Sequence, residues 1–185
     1  MKKKAFLFFI TVLFASCTDY SPKPYGYFRI DFPEHSYREF NQAAYPYKFQ
    51  LSENANIIFR REKHWLDIFY PRYKAQLHCS YSLIHKDFQD LSEDSHSLAY
   101  KHIVRADGID EYLIMLPDEK VYGIFYDLEG NTASPIQFML TDSVHNFFRA
   151  ALYFNATPNA DSIAPVKEYF REELLHLIET FEWEK

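Results

Sequence analysis

Alternation of apolar and polar side chains organises the middle of the chain. Leu77, Cys79, Tyr81 and Leu83 alternate with Gln76, His78, Ser80 and Ser82. A period of two is that of a half-buried strand, so Ala75 to Ile84 is predicted as one. Shorter runs predict strands over Tyr27 to Phe32, Tyr47 to Leu51, Asn56 to Arg61, His64 to Tyr70, Tyr112 to Leu116, Val121 to Leu128, Ile136 to Leu140 and Arg149 to Phe154. The first of these stops at Pro33, which cannot donate to a ladder. A helix is predicted from Glu93 to Arg105, with Ser92 as N-cap and Gly108 ending the unit. Asp142 and Ser143 are expected to cap a short helical turn.

The C-terminal run changes period. Ile163, Val166, Tyr169, Phe170, Leu174, Leu177, Ile178 and Phe181 recur at spacings of three and four. Arg171, Glu172, Glu173, His176 and Glu179 fall mostly on the other side. This predicts a long amphipathic helix, with Glu172 and Glu173 on its solvated face, Ser162 as its cap and Pro165 in its first turn. Strands joined by short turns pair antiparallel. Val121 to Leu128 is apolar on both faces and so needs cover from both sides. The expected class is α+β, a mainly antiparallel sheet flanked by helices as an α/β/α sandwich, built by residues 27–185 as one domain.

The N-terminus follows neither period. Lys2, Lys3 and Lys4 precede an apolar stretch from Ala5 to Ala15, then Leu13-Phe14-Ala15-Ser16-Cys17. That order is a secretory signal over residues 1–16, too short to span a bilayer. The cysteine makes it a lipoprotein signal, with Cys17 as the lipidated residue. Several acyl chains together anchor stably where one does not. Residues 17–26 form a tether stiffened by Pro22 and Pro24, which keeps the body within roughly 30 Å of the membrane. Loss of the three lysines lowers the net charge from −6 to −9. Nucleic acid is excluded as a partner, because a polyanion needs basic patches. The remaining Cys79 has no disulfide partner, so stability must come from the core. With 48% hydrophobic residues, 18 Phe and 15 Tyr, the chain can supply one.

Candidate chemistry is sparse. None of the eight histidines pairs at helical metal-ligand spacing, so no metal is expected. Cys79 lies on the apolar face of its strand and is expected in the core. The sequence has four glycines, no phosphate cradle and no nucleophile elbow. No catalytic residue and no cofactor beyond the covalent lipid is expected. Two segments are polar enough to suggest a partner-binding patch: Tyr25 to His35, with Arg29, Asp31, Glu34 and His35, and Asp127 to Asp142, with Asp127, Asn131 and Asp142. Aromatic and arginine residues commonly anchor interfaces. An edge strand and a hairpin turn are the purely structural alternatives.

Three segments carry a resemblance: SPKPYGYFRIDFPEHSY, YDLEGNTASPIQFMLTDS and FFRAALYFNATPNADSIAPVKEYFREELLHLIETFEW. Together with the lipidation cysteine they resemble the gliding-motility lipoprotein GldD family of Bacteroidetes, over nearly the whole processed chain. The resemblance implies a non-enzymatic role in surface gliding and the associated type IX secretion machinery. It implies partners among the motility and secretion proteins of the envelope, and attachment to the membrane through lipid. The alternative is a carrier or enzyme holding an apolar or cell-wall ligand in an aromatic groove. A single acid after Cys17, Asp19, fits a periplasm-facing position on the outer membrane. Asp142-Ser143-Val144 and Asp161-Ser162-Ile163 are similar to the O-glycosylation signal of that phylum, though helix capping explains both without sugar. The element order resembles the Mog1/PsbP-like sandwich.

Overall fold

The computed structural model describes residues 31–101, 106–155 and 160–184. The signal peptide, Cys17, the tether and Arg29 lie outside these residues. Among these residues ten strands and two α-helices follow in order: β1 (Tyr37–Phe40), β2 (Tyr47–Ser52), β3 (Asn56–Phe59), β4 (Leu66–Tyr70), β5 (Ala75–Leu83), α1 (Phe88–Tyr100), β6 (Ala106–Leu116), β7 (Val121–Gly130), β8 (Ile136–Thr141), β9 (Asn146–Phe154), α2 (Ala160–Glu179) and β10 (Glu182–Trp183). Seven strands form one antiparallel sheet in the order β3-β4-β5-β9-β8-β7-β6. A second sheet, β1-β2-β10, stands apart from it.

One face of the large sheet carries the main core. Leu77, Cys79, Phe125, Phe138, Leu140, Phe148, Ala150 and Leu152 pack there against Tyr47, Phe49 and Leu51 of β2 and against Phe170, Leu174, Leu177 and Ile178 of α2. Each large apolar side chain buried here contributes about 1.5–3 kcal/mol. The other face holds a smaller cluster under α1, made by Ala99, Tyr126 and Leu128. The layers are therefore α1, the large sheet, then α2 with the small sheet.

Several expectations need correction. Asp31 and Phe32 have no strand conformation; residues 31–36 run irregularly into β1, a strand the alternation did not single out. The first helix starts at Phe88, five residues early, so Ser92 is interior. It buries the small Ser95 and Ala99 and leaves Leu98 exposed, so the large apolar residues do not trace its inner face. Gly108 lies within β6, beside its one register shift, instead of ending the helical unit. The last helix starts at Ala160, which places Ser162 inside it and Pro165 in the second turn.

Asp142 builds a tight turn between β8 and β9 in place of a helical one. Its Oδ1 accepts hydrogen bonds from the backbone N–H groups of Val144, His145 and Asn146 at 2.7–2.9 Å. Ser143 there has φ 66° and is exposed.

Candidate functional site

α2 presents Tyr169, Glu173 and His176 along one side, four and three residues apart, as helix geometry requires. Residues 32–37 lie across them. Phe32 stacks on Tyr169 at 4.9 Å and on Tyr73 at 5.9 Å. His35 stacks on the same Tyr169 at 4.7 Å and on Tyr37 at 6.0 Å. Tyr37 in turn stacks on His176 at 3.6 Å, and His176 Nε2 meets Gln50 Oε1 at 2.9 Å. The segment leading into β1 is thus held on α2 by a continuous ladder of rings.

Charge lies at the centre of the ladder. His35 Nδ1 bonds to Glu173 Oε1, and its Nε2 bonds to Glu172 Oε2 at 3.0 Å. Both ring nitrogens face carboxylates, an arrangement that favours the imidazolium, whose two N–H groups both donate. Burial opposes that charge, but the bonds to Glu173 and Glu172 outweigh it and raise the His35 pKa. The Glu173 side chain is 1% exposed. Its Oε2 has no hydrogen-bond partner among the described residues. Burial and the carboxylates of Glu173, Glu172 and Glu179 push the Tyr37 hydroxyl up to about 12. Burial and Glu173 likewise raise Tyr169 and Tyr70, so these phenols stay protonated donors.

Beside the ladder is a cavity of about 210 Å³, walled by Pro33, Ser52, Tyr70, Arg72, Tyr73 and Tyr169. Arg72 donates to the Asp31 carbonyl at 2.5 Å, and the Tyr73 hydroxyl is buried without a hydrogen-bond partner among the described residues. A second cavity of about 220 Å³ lies between the end of β7 and the start of α2, by Leu128, Pro135, Ile163 and Lys167.

The residues expected to form one patch divide into several places. Asp31, Glu34 and His35 share the segment on α2, with Glu34 exposed. Asp127, on β7, is buried and forms ion pairs with Lys167 and with Arg171, the latter at 3.2 Å. Asp127 therefore fastens α2 to the large sheet. Asn131 and Asp142 lie beyond opposite ends of β8, too far along the strand to share a local surface. Asp142's carboxyl, despite partial burial, is held below the usual range by backbone N–H donors from Asn146, His145 and Val144.

Glu173 is the main residue that pattern reading misplaced. It is buried, not solvated. The signal was present: position 173 is four from Tyr169 and four from Leu177, inside the apolar stripe. Asp67 was also missed; it is buried on β4 and bonded by Arg60, by His78 Nδ1 at 2.9 Å and by Gln76 at 2.7 Å. Cys79 is in the core, where burial pushes its thiol pKa well up. Among the described residues, no three His, Cys, Asp or Glu side chains are placed to share a metal ion. No helix among them is long and apolar enough to cross a membrane.

The family model of the gliding motility lipoprotein GldD matches residues 17–183. The chain belongs to the GldD family. Membership associates this GldD chain with gliding motility and marks it as a lipoprotein of the cell envelope. No curated protein matches it. The solution structure of cyanobacterial PsbP (CyanoP) from Synechocystis sp. PCC 6803 is similar, with a TM-score of 0.50 at 11% identity. The likeness covers 87% of this chain and 99% of that one. At such identity it speaks for the fold alone, which is the Mog1/PsbP-like sandwich.

Proposed function

We propose that this GldD-family protein is a non-enzymatic subunit of the gliding-motility apparatus and of the associated type IX secretion machinery. Lipid on Cys17 holds it on the periplasmic face of the outer membrane, and it works by docking onto other envelope components. The observation that carries this reading is a family match that begins at Cys17 and runs to Trp183. The short tether supports it: confinement near the membrane raises effective concentration, so modest surfaces suffice for docking.

The distribution of the aromatic residues favours docking over carriage. A carrier for an apolar or cell-wall ligand needs an open aromatic groove, and ligand sites of drug-like size run to about 300–1,000 Å³. Here Tyr47, Phe49, Phe148 and Phe181 pack on one another at 5.0–6.1 Å and fill the core. The two cavities described above are smaller, at about 210 and 220 Å³, and a third of about 410 Å³ is walled by Asn41, Ala43, Ala44, Tyr45, Pro46, His64 and Glu184, a mixed polar lining and not an aromatic groove.

Crosslinking in intact cells followed by affinity recovery tests the reading. Motility or secretion components of the envelope are expected among the captured proteins, and their complete absence would overturn it. A Cys17→Ser variant is expected to fold and yet fail to support gliding; normal gliding would remove the anchoring argument. Protease treatment of whole cells should leave the protein intact, because rapid loss means surface exposure.

A further inference from the structure

The large sheet has two edges of unlike character. β3 is 4 residues long. β6 is 11 residues long and, among the described residues, pairs only with β7, so its outer backbone groups face away from the sheet. Proteins usually guard such edges with Lys, Pro, bulges or short strands. β6, ADGIDEYLIML, contains no Lys, Arg or Pro, and its one irregularity lies at Ala106/Gly108.

Its two halves differ in chemistry. Asp107, Asp110 and Glu111 are exposed along the first half. The second half exposes Tyr112 at 45%, Leu113 at 79% and Met115 at 68%. The register continues this apolar surface inward. Leu113 is opposite Ile124, which is opposite Met139; Met115 is opposite Tyr122. α1 lies over Tyr126 and Leu128, further along the same face. On the other face Asp110 is opposite Asp127, whose charge Lys167 and Arg171 already serve, while Tyr112 lies under the Arg171 guanidinium at 5.5 Å.

We propose that the outer edge of β6 is a strand-addition site for an extended segment of a partner protein, apolar along one half and basic along the other. Backbone pairing supplies affinity in such sites, and alternate side chains supply selectivity. Docked antiparallel, as throughout this sheet, the segment's first residues run beside Ile114 to Leu116. Its Lys or Arg residues then come last, beside Glu111, Asp110 and Asp107. A second copy fits badly, since β6 brings no cation to those acids and the chain carries a net charge of −6. This rests on the docking reading above and assigns its surface; its failure would leave docking through another face open.

The test titrates the full-length protein, in detergent, into a fluorescein-labelled peptide Thr-Val-Thr-Val-Tyr-Val-Lys-Arg-Lys and reads anisotropy. Saturable binding is expected, weakened about tenfold when Glu-Asp-Glu replaces the basic end. Methylating alternate peptide amides should abolish it, because it removes the backbone donors. Leu113→Lys with Met115→Lys, both at exposed positions, should weaken binding about tenfold without changing the circular dichroism. Asp110→Lys with Glu111→Lys should invert the preference between the two peptides. No saturable binding, or equal binding of the methylated peptide, overturns the proposal. So does disulfide capture of two copies through Leu113→Cys, which would assign the edge to a second chain.

Discussion

Replacing His35 with Ala strips Glu173 of its cation. Removing one partner of a buried ion pair costs about 3–5 kcal/mol. The Glu173 side chain is 1% exposed but that of His35 is 29% exposed, so water screens part of the loss. The stacking of His35 on Tyr169 is lost as well. The expected destabilisation is about 2–3 kcal/mol. Glu173→Gln removes the buried charge while keeping an acceptor in place, and should cost less, under about 1.5 kcal/mol. In that background His35→Ala should cost only about 1 kcal/mol, so the double-mutant cycle gives a clear coupling. Urea unfolding reads these values as shifts in midpoint at constant slope. The pH dependence has a definite sign. His35 binds its proton more tightly folded than unfolded, since its pKa lies above 6.5. Its contribution is fully present below 6.5 and is lost as pH rises through the raised value. His35→Ala should flatten the stability curve over that window. A His35→Ala protein within about 0.5 kcal/mol of the parent, or a coupling near zero, would refute the reasoning.

Phe170→Ala empties a site that Tyr70, Tyr73 and Phe154 enclose at 4.7–5.7 Å, and should cost about 3–5 kcal/mol in the same urea assay. Gly123→Ala drives a methyl group into the Met139 carbonyl of β8, so thermal unfolding should register a loss of about 3 kcal/mol or more, or no folded protein at all. Asp142→Ala should weaken the β8–β9 turn by about 1–2 kcal/mol, seen as faster amide exchange at residues 144–146. The Asp142 carboxyl sits below its ordinary 3.8 when folded, so its contribution is present above 3.8 and fades as pH falls through the depressed value.

Local periodicity located most elements because side-chain direction follows directly from backbone conformation. β5 was predicted over Ala75 to Ile84 and runs from Ala75 to Leu83, and β9 was found within a few residues of its ends. α2 was visible from Tyr169, Phe170, Leu174, Leu177 and Ile178. Periodicity failed where burial does not follow residue size or polarity. α1 buries Ser95 and Ala99, so its inner face looks polar or small in the sequence. Tyr37 to Phe40 alternates too weakly to announce a strand, and it became one by pairing with β2.

The candidate site divides along the same line. The sequence marked Asp31, Glu34 and His35 as a polar, aromatic segment. It could not state what the segment touches. The Glu173 partner of His35 lies 138 residues away, and its carboxylate is buried because residues 32–37 cover it. Asp127 likewise looked like a surface acid until Lys167 and Arg171 closed over it from a helix roughly forty residues on. The sequence by itself determined the element periods and the antiparallel order, since each depends on neighbours within a few residues. Only the tertiary structure decided which acids are buried, that β1, β2 and β10 stand apart as a second sheet, and that β6 is the outer strand of the large sheet among the described residues. Those outcomes depend on contacts between distant segments, which no local pattern encodes.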